Sequence, residues 1–142
     1  MKHKILMIAA TLGALFSLAV AAGAQPRNQV KARIGFDFVA GESKLKAGDY
    51  SVRRLSQNAI LFRSADGKSS AIVLAPIALP RRREDAPERL VFKQYGSEYL
   101  LVEVWTDRQS DGRALDTVKA ERRLAQRIKS VPQTVEVLAK QN

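Results

Sequence analysis

Glu103 stands two residues before Trp105 and four after Tyr99, and on an extended strand that spacing puts all three side chains on one face. A carboxylate set among aromatic rings loses solvation, holds its proton to higher pH and can serve as a general acid. A sugar ring could stack on Trp105. Glycoside hydrolysis would also need a second carboxylate at a set separation, and Glu98, Asp107 and Asp37 are the candidates. The alternative is structural: a Glu paired with an Arg, and a Trp packed beneath a helix.

The second cluster is cationic. Lys119, Arg122, Arg123, Arg127 and Lys129 are balanced only by Glu121. Such a face could take anionic lipid or another polyanion. It has no aromatic side chain on which a base could stack, so no specific nucleic acid is expected. The ordinary alternative is the solvated side of an amphipathic helix.

Other motifs carry less. Arg81-Arg82-Arg83 lies beside Glu84, Asp85 and Glu88 and reads as a self-neutralised loop. Asp107, Asp111 and Gly112 miss the calcium-loop pattern, because Gln109 and Val118 occupy ligand positions. In Leu45-x-Ala47-Gly48-x-Tyr50-x-Val52, Gly48 serves a turn and Tyr50 and Val52 the core.

Composition removes whole classes of chemistry. The chain has no Cys and one His, His3. That His lies in the first of three segments that together read as an export signal. Met1 to Lys4 is a basic start, Ile5 to Val20 is uncharged, and Ala22-Gly23-Ala24 precedes a cleavage point at Gln25. The uncharged run is too short for a spanning helix, which needs ~20 residues. The expected product is one domain over residues 25–142, periplasmic or extracellular. Its charge is about +8, the full-chain +10 without Lys2 and Lys4. Without His or Cys, that domain cannot use a Ser-His-Asp triad, a Cys-His pair, a His/Cys zinc site or His- or Cys-ligated haem. No cofactor and no metal are expected.

The elements that must position these residues are mostly strands. Val30 to Phe38 alternates in period two. Tyr50 to Leu55 leaves a turn at Lys46-Ala47-Gly48-Asp49. Ala59 to Ser64 and Ala71 to Leu79 flank Asp66-Gly67, which reads as a type I′ hairpin turn. Ile72-Val73-Leu74-Ala75 is apolar throughout and is expected to be covered on both faces. Leu90 to Tyr95 and Glu98 to Thr106 form a second hairpin. In its second strand Leu100, Val102 and Val104 should share one face, and Tyr99, Leu101, Glu103 and Trp105 the other. Asp107 to Arg113 is a turn-rich connection. Asp116 or Thr117 is placed to cap a helix over Val118 to Lys129, with an apolar stripe at Leu124, Ile128 and Val131 and Pro132 as its stop. Thr134 to Lys140 is a last short strand. The expected class is mainly β: a sandwich or small barrel of about seven strands with one C-terminal helix, which could cover the Glu98–Thr106 hairpin.

Two strings of motifs add a resemblance. Phe36-Asp37-Phe38-Val39-x-Gly41, Leu45-x-Ala47-Gly48-x-Tyr50-x-Val52 and Leu61-Phe62-Arg63-Ser64 form the first. Leu90-Val91-Phe92-x-x-Tyr95-Gly96-x-x-Tyr99, Val104-Trp105 and Glu121-Arg122-x-Leu124-Ala125 form the second. In this order they resemble a group of small secreted bacterial proteins of unknown function. The resemblance implies export and a β-rich domain, and it brings no activity or ligand. The export signal, the absence of His and Cys from the domain and the core-like roles of nearly every motif make the expected function non-enzymatic: an interaction or structural role at the cell envelope, with an anionic envelope component or another protein as partner. Two alternatives stand beside it. One is a carrier of a small apolar ligand, with Tyr99 and Trp105 on the cavity wall. The other is a carboxylate-only hydrolase.

Overall fold

The computed structural model describes residues 29–81, 83, 85–107 and 111–141. The predicted export signal over 1–24 lies outside the described residues, as do Arg82 and Glu84 of the basic loop. Among the described residues the elements follow in the order β1 (Gln29–Ile34), β2 (Phe38–Ala40), β3 (Ser43–Leu45), β4 (Gly48–Arg54), β5 (Ala59–Ser64), β6 (Ser70–Leu74), β7 (Ile77–Leu79), β8 (Arg89–Tyr95), β9 (Glu98–Trp105), β10 (Gly112–Ala114), α1 (Val118–Arg127) and β11 (Gln133–Gln141). The strands pair in the order β3-β2-β9-β8-β11-β1-β4-β5-β6, with β10 joining β9 to β7.

The chain is mainly β, a nearly closed barrel-like sheet with one C-terminal helix. β11 links its two halves: Gln133 to Leu138 pairs with β8, and Ala139 to Gln141 pairs with β1. Among the described residues eleven strands replace the expected seven or so because long apolar runs are cut. The Val30–Phe38 run breaks after Ile34 into β1 and β2. The Ala71–Leu79 run breaks at Ala75-Pro76, where proline has no N–H to donate to a ladder. Part of the expected Asp107–Arg113 connection becomes β10.

Alternation along the strands fills the barrel. Val30, Ala32 and Ile34 of β1, Tyr50 and Val52 of β4, and Ile60 and Phe62 of β5 all turn inward and are buried. Phe38 lies at the centre of an aromatic group, 5.4 Å from Phe92, 5.6 Å from Tyr50 and 6.1 Å from Phe62 between ring centroids. Each fully buried ring contributes roughly 1.5–3 kcal/mol through removal from water. A second, smaller core lies outside the barrel wall. There Val91, Tyr95, Leu100, Val102 and Trp105 meet Leu124 of α1, with Ala120 and Ile128 packed against them. The helix does cover the β8–β9 hairpin, as its apolar stripe implies.

Three local expectations are corrected. The first concerns β9. Val91 stands opposite Glu103 and Phe92 opposite Leu101, so Val102 has no partner of its own. This β-bulge reverses the alternation beyond it. Leu101 and Val104 both belong to the barrel core, while Leu100, Val102 and Trp105 belong to the core under the helix. The second concerns the helix end. α1 stops at Arg127, with Ile128 already extended, five residues short of Pro132. Val131 is 87% exposed and takes no part in the stripe, which runs instead through Ala120, Leu124 and Ile128. The third concerns β5 and β6. Only Gly67 of the Asp66-Gly67 pair has positive φ, at 71°, so the turn is not type I′. Ile72 and Leu74 are exposed, so β6 is covered on its Ala71 and Val73 side alone.

Candidate functional site

The aromatic–carboxylate trio is split by the bulge. Tyr99 packs against the barrel core, its ring stacked on Phe36 at 3.8 Å. Glu103 and Trp105 stay together on the helix side, where Trp105 Nε1 donates to Glu103 Oε2 at 3.0 Å. Trp105 is 6% exposed. The Arg89 and Arg81 guanidinium carbons lie 4.7 and 5.5 Å from its ring centroid, at cation–π distance. Gly112 lies directly against the ring. No sugar can stack on a ring so enclosed. Glu103 lines none of the four described clefts.

The cationic cluster is brought together. Lys119, Arg122, Arg123 and Arg127 sit on exposed positions of α1, and Lys129 is exposed just past its end. Glu121, their one acidic neighbour in sequence, points the other way. Its carboxylate accepts from Lys93 Nζ at 2.7 Å, Tyr95 Oη at 3.1 Å and Thr117 Oγ1 at 2.6 Å. Burial alone would raise the Glu121 pKa. The hydrogen bonds from Lys93, Thr117 and Tyr95 together outweigh it and hold the carboxyl below its usual range. Thr117, the N-cap residue, thus uses its hydroxyl on Glu121 and not on the helix backbone. The exposed charged side chains of α1 are thus all basic. Arg127 pairs with Glu98 at 2.5 Å; Lys119, Arg122, Arg123 and Lys129 have no ion pair among the described residues.

One cleft borders this face and a second adjoins that cleft, both lined by Val39, Lys44, Glu98 and Tyr99. The first, about 380 Å³, lies between α1 and the barrel and adds Arg123 and Arg127 to Lys44, over an apolar floor of Leu100, Ala120 and Leu124. The second, about 260 Å³, adds Asp37 and Lys46. Lys46 Nζ donates to Asp37 at 2.8 Å, and the Ala47 N–H donates to its other oxygen at 2.9 Å. These two bonds, Lys46 first, lower the Asp37 pKa. Asp37 is therefore held charged.

Lys44 is the residue that sequence reasoning missed. It reaches the helix only because β2 joins β9 in parallel, through Val39 opposite Leu100. That pairing spans some sixty positions and leaves no local periodic signal.

A carrier would need an internal cavity. The barrel interior is instead occupied by the aromatic and aliphatic core, and Tyr99 and Trp105 do not share a wall. No described helix is long and apolar enough to cross a membrane. No family model, curated protein or solved structure matches the chain, so the geometry of the site carries the functional reading.

Proposed function

We propose that the domain is an exported, non-catalytic module that binds an anionic component of the cell envelope through the outer face of α1 and the cleft beside it. The observation that carries this reading is the inward turn of Glu121. It removes the only acid from the helix surface and leaves Lys119, Arg122 and Arg123 without ion pairs among the described residues. Lys44 and Arg123 carry the positive field into a cleft large enough for an anionic group with a short apolar neighbour, where Arg127 is paired with Glu98.

The test is binding to immobilised heparin and to anionic vesicles across a salt series. Binding should weaken steeply with salt, as attraction between exposed charges does. The double variant Arg122→Glu, Arg123→Glu should bind at least about tenfold more weakly, since each basic residue near an anionic surface contributes ~1 kcal/mol. Both side chains are exposed, so the fold should be unchanged by circular dichroism. Undiminished binding by this variant would rule out the helix face.

A further inference from the structure

The barrel has a second basic surface, built by strand register. On the outside of the sheet Lys140 stands opposite Lys31, Lys31 opposite Ser51, and Ser51 opposite Arg63. Residues so paired share a face, with Cβ atoms ~5 Å apart. Arg33 and Arg53 lie two positions along from Lys31 and Ser51, on the same side. The acid among them, Asp49, is taken by Arg33 at 2.8 Å. Like charges directly opposite one another weaken a sheet, and neither Lys31 nor Lys140 has an ion pair among the described residues.

Exposed aliphatic side chains border this row at both ends. Leu138 of β11 is 63% exposed, Ile72 of β6 is 63% exposed and Leu74 is 68% exposed. Ile72 stands opposite Leu61, and Leu61 opposite Arg53, so the apolar end runs into the basic one. A polyanion in water would use the cations and leave the aliphatics idle. An anionic bilayer uses both: phosphates meet the cations, and the aliphatics enter the boundary between headgroups and acyl chains.

We propose that the outer face of β11, β1, β4, β5 and β6 seats on an anionic phospholipid surface. Lys140, Lys31 and Arg63 meet the headgroup phosphates, and Ile72, Leu74 and Leu138 enter the interface. This goes beyond the α1 reading and uses different residues.

Two variants test it, against vesicles of phosphatidylglycerol mixed with phosphatidylcholine, vesicles of phosphatidylcholine alone, and heparin. Lys140→Glu should pair with Lys31, raise the melting temperature slightly and weaken binding to the anionic vesicles about tenfold. Ile72→Ser with Leu74→Ser should weaken vesicle binding several-fold and leave heparin binding unchanged. The inference is overturned if the serine variant binds vesicles like the parent. Loss of both heparin and vesicle binding by Lys140→Glu, with the serine variant silent, would make the face a polyanion site and also overturn it. Should Lys140→Glu bind normally while Arg122→Glu, Arg123→Glu does not, the sheet inference fails and the α1 reading stands.

Discussion

Replacing Gly112 with alanine is expected to destabilise the domain by about 3 kcal/mol, at the top of the usual range for overpacking. A Cβ at this position would lie 2.5 Å from Cδ2 and Cε2 of Trp105, well inside van der Waals contact. Backbone conformation is not the cause, because Gly112 is not among the glycines of positive φ. The cause is space. β10 is held between β7 and β9, so its backbone cannot easily retreat. Nor can the indole, which is bonded through Nε1 to Glu103 and flanked by Arg89 and Arg81. Trp105 is the only tryptophan in the chain, so its fluorescence reports on the site directly. Denaturant unfolding should show a lower midpoint and a shifted native emission spectrum. Gly35→Ala is the control: a Cβ there meets nothing within 4 Å. Equal stability of the two variants would refute the packing argument.

Glu121→Ala should cost about 2 kcal/mol, the scale of a charge-assisted hydrogen bond lost from a partly buried site. It leaves Lys93 and the Tyr95 hydroxyl beneath the helix without their acceptor, and it frees Thr117 at the helix start. Glu121→Gln should fall between, because it keeps an acceptor but gives up the charge that faces Lys93. The same network sets an acid limit. The folded carboxyl titrates below the ordinary value of 4.5, so the folded state binds this proton more weakly than the unfolded chain. Its stabilisation is complete above the unfolded value and is lost as pH falls through the folded one. The parent protein should therefore lose more stability on acidification than Glu121→Gln. Parallel pH profiles for the two would mean that the network does not hold the helix.

Much of the architecture is readable from local pattern. Alternation at Val30, Ala32 and Ile34, and again at Tyr50 and Val52, marks the inward residues correctly, because side-chain direction in a strand depends only on position parity. The helix and the hairpin that it covers are likewise evident from Leu124 and Ile128 and from the two apolar runs before them. The candidate site is less legible. The basic residues of α1 are plain in the sequence, but the fate of Glu121 is not. A carboxylate one residue from an arginine looks like surface charge until β8 supplies Lys93 and Tyr95 from 28 and 26 positions away.

The trio of Tyr99, Glu103 and Trp105 shows where parity fails. One unpaired residue, Val102, sends Tyr99 and Trp105 to opposite sides of the sheet, and nothing near it in sequence announces the bulge. The sequence alone determined the mainly β class, the place of the helix and the absence of Cys, and of any His but His3, because these follow from composition and short-range period. The tertiary structure decided which charges remain unpaired, which aromatic rings are enclosed, and that Lys31, Ser51, Arg63 and Lys140 form a single row. Those outcomes depend on pairing between distant strands, and register is set by the packing of the whole barrel.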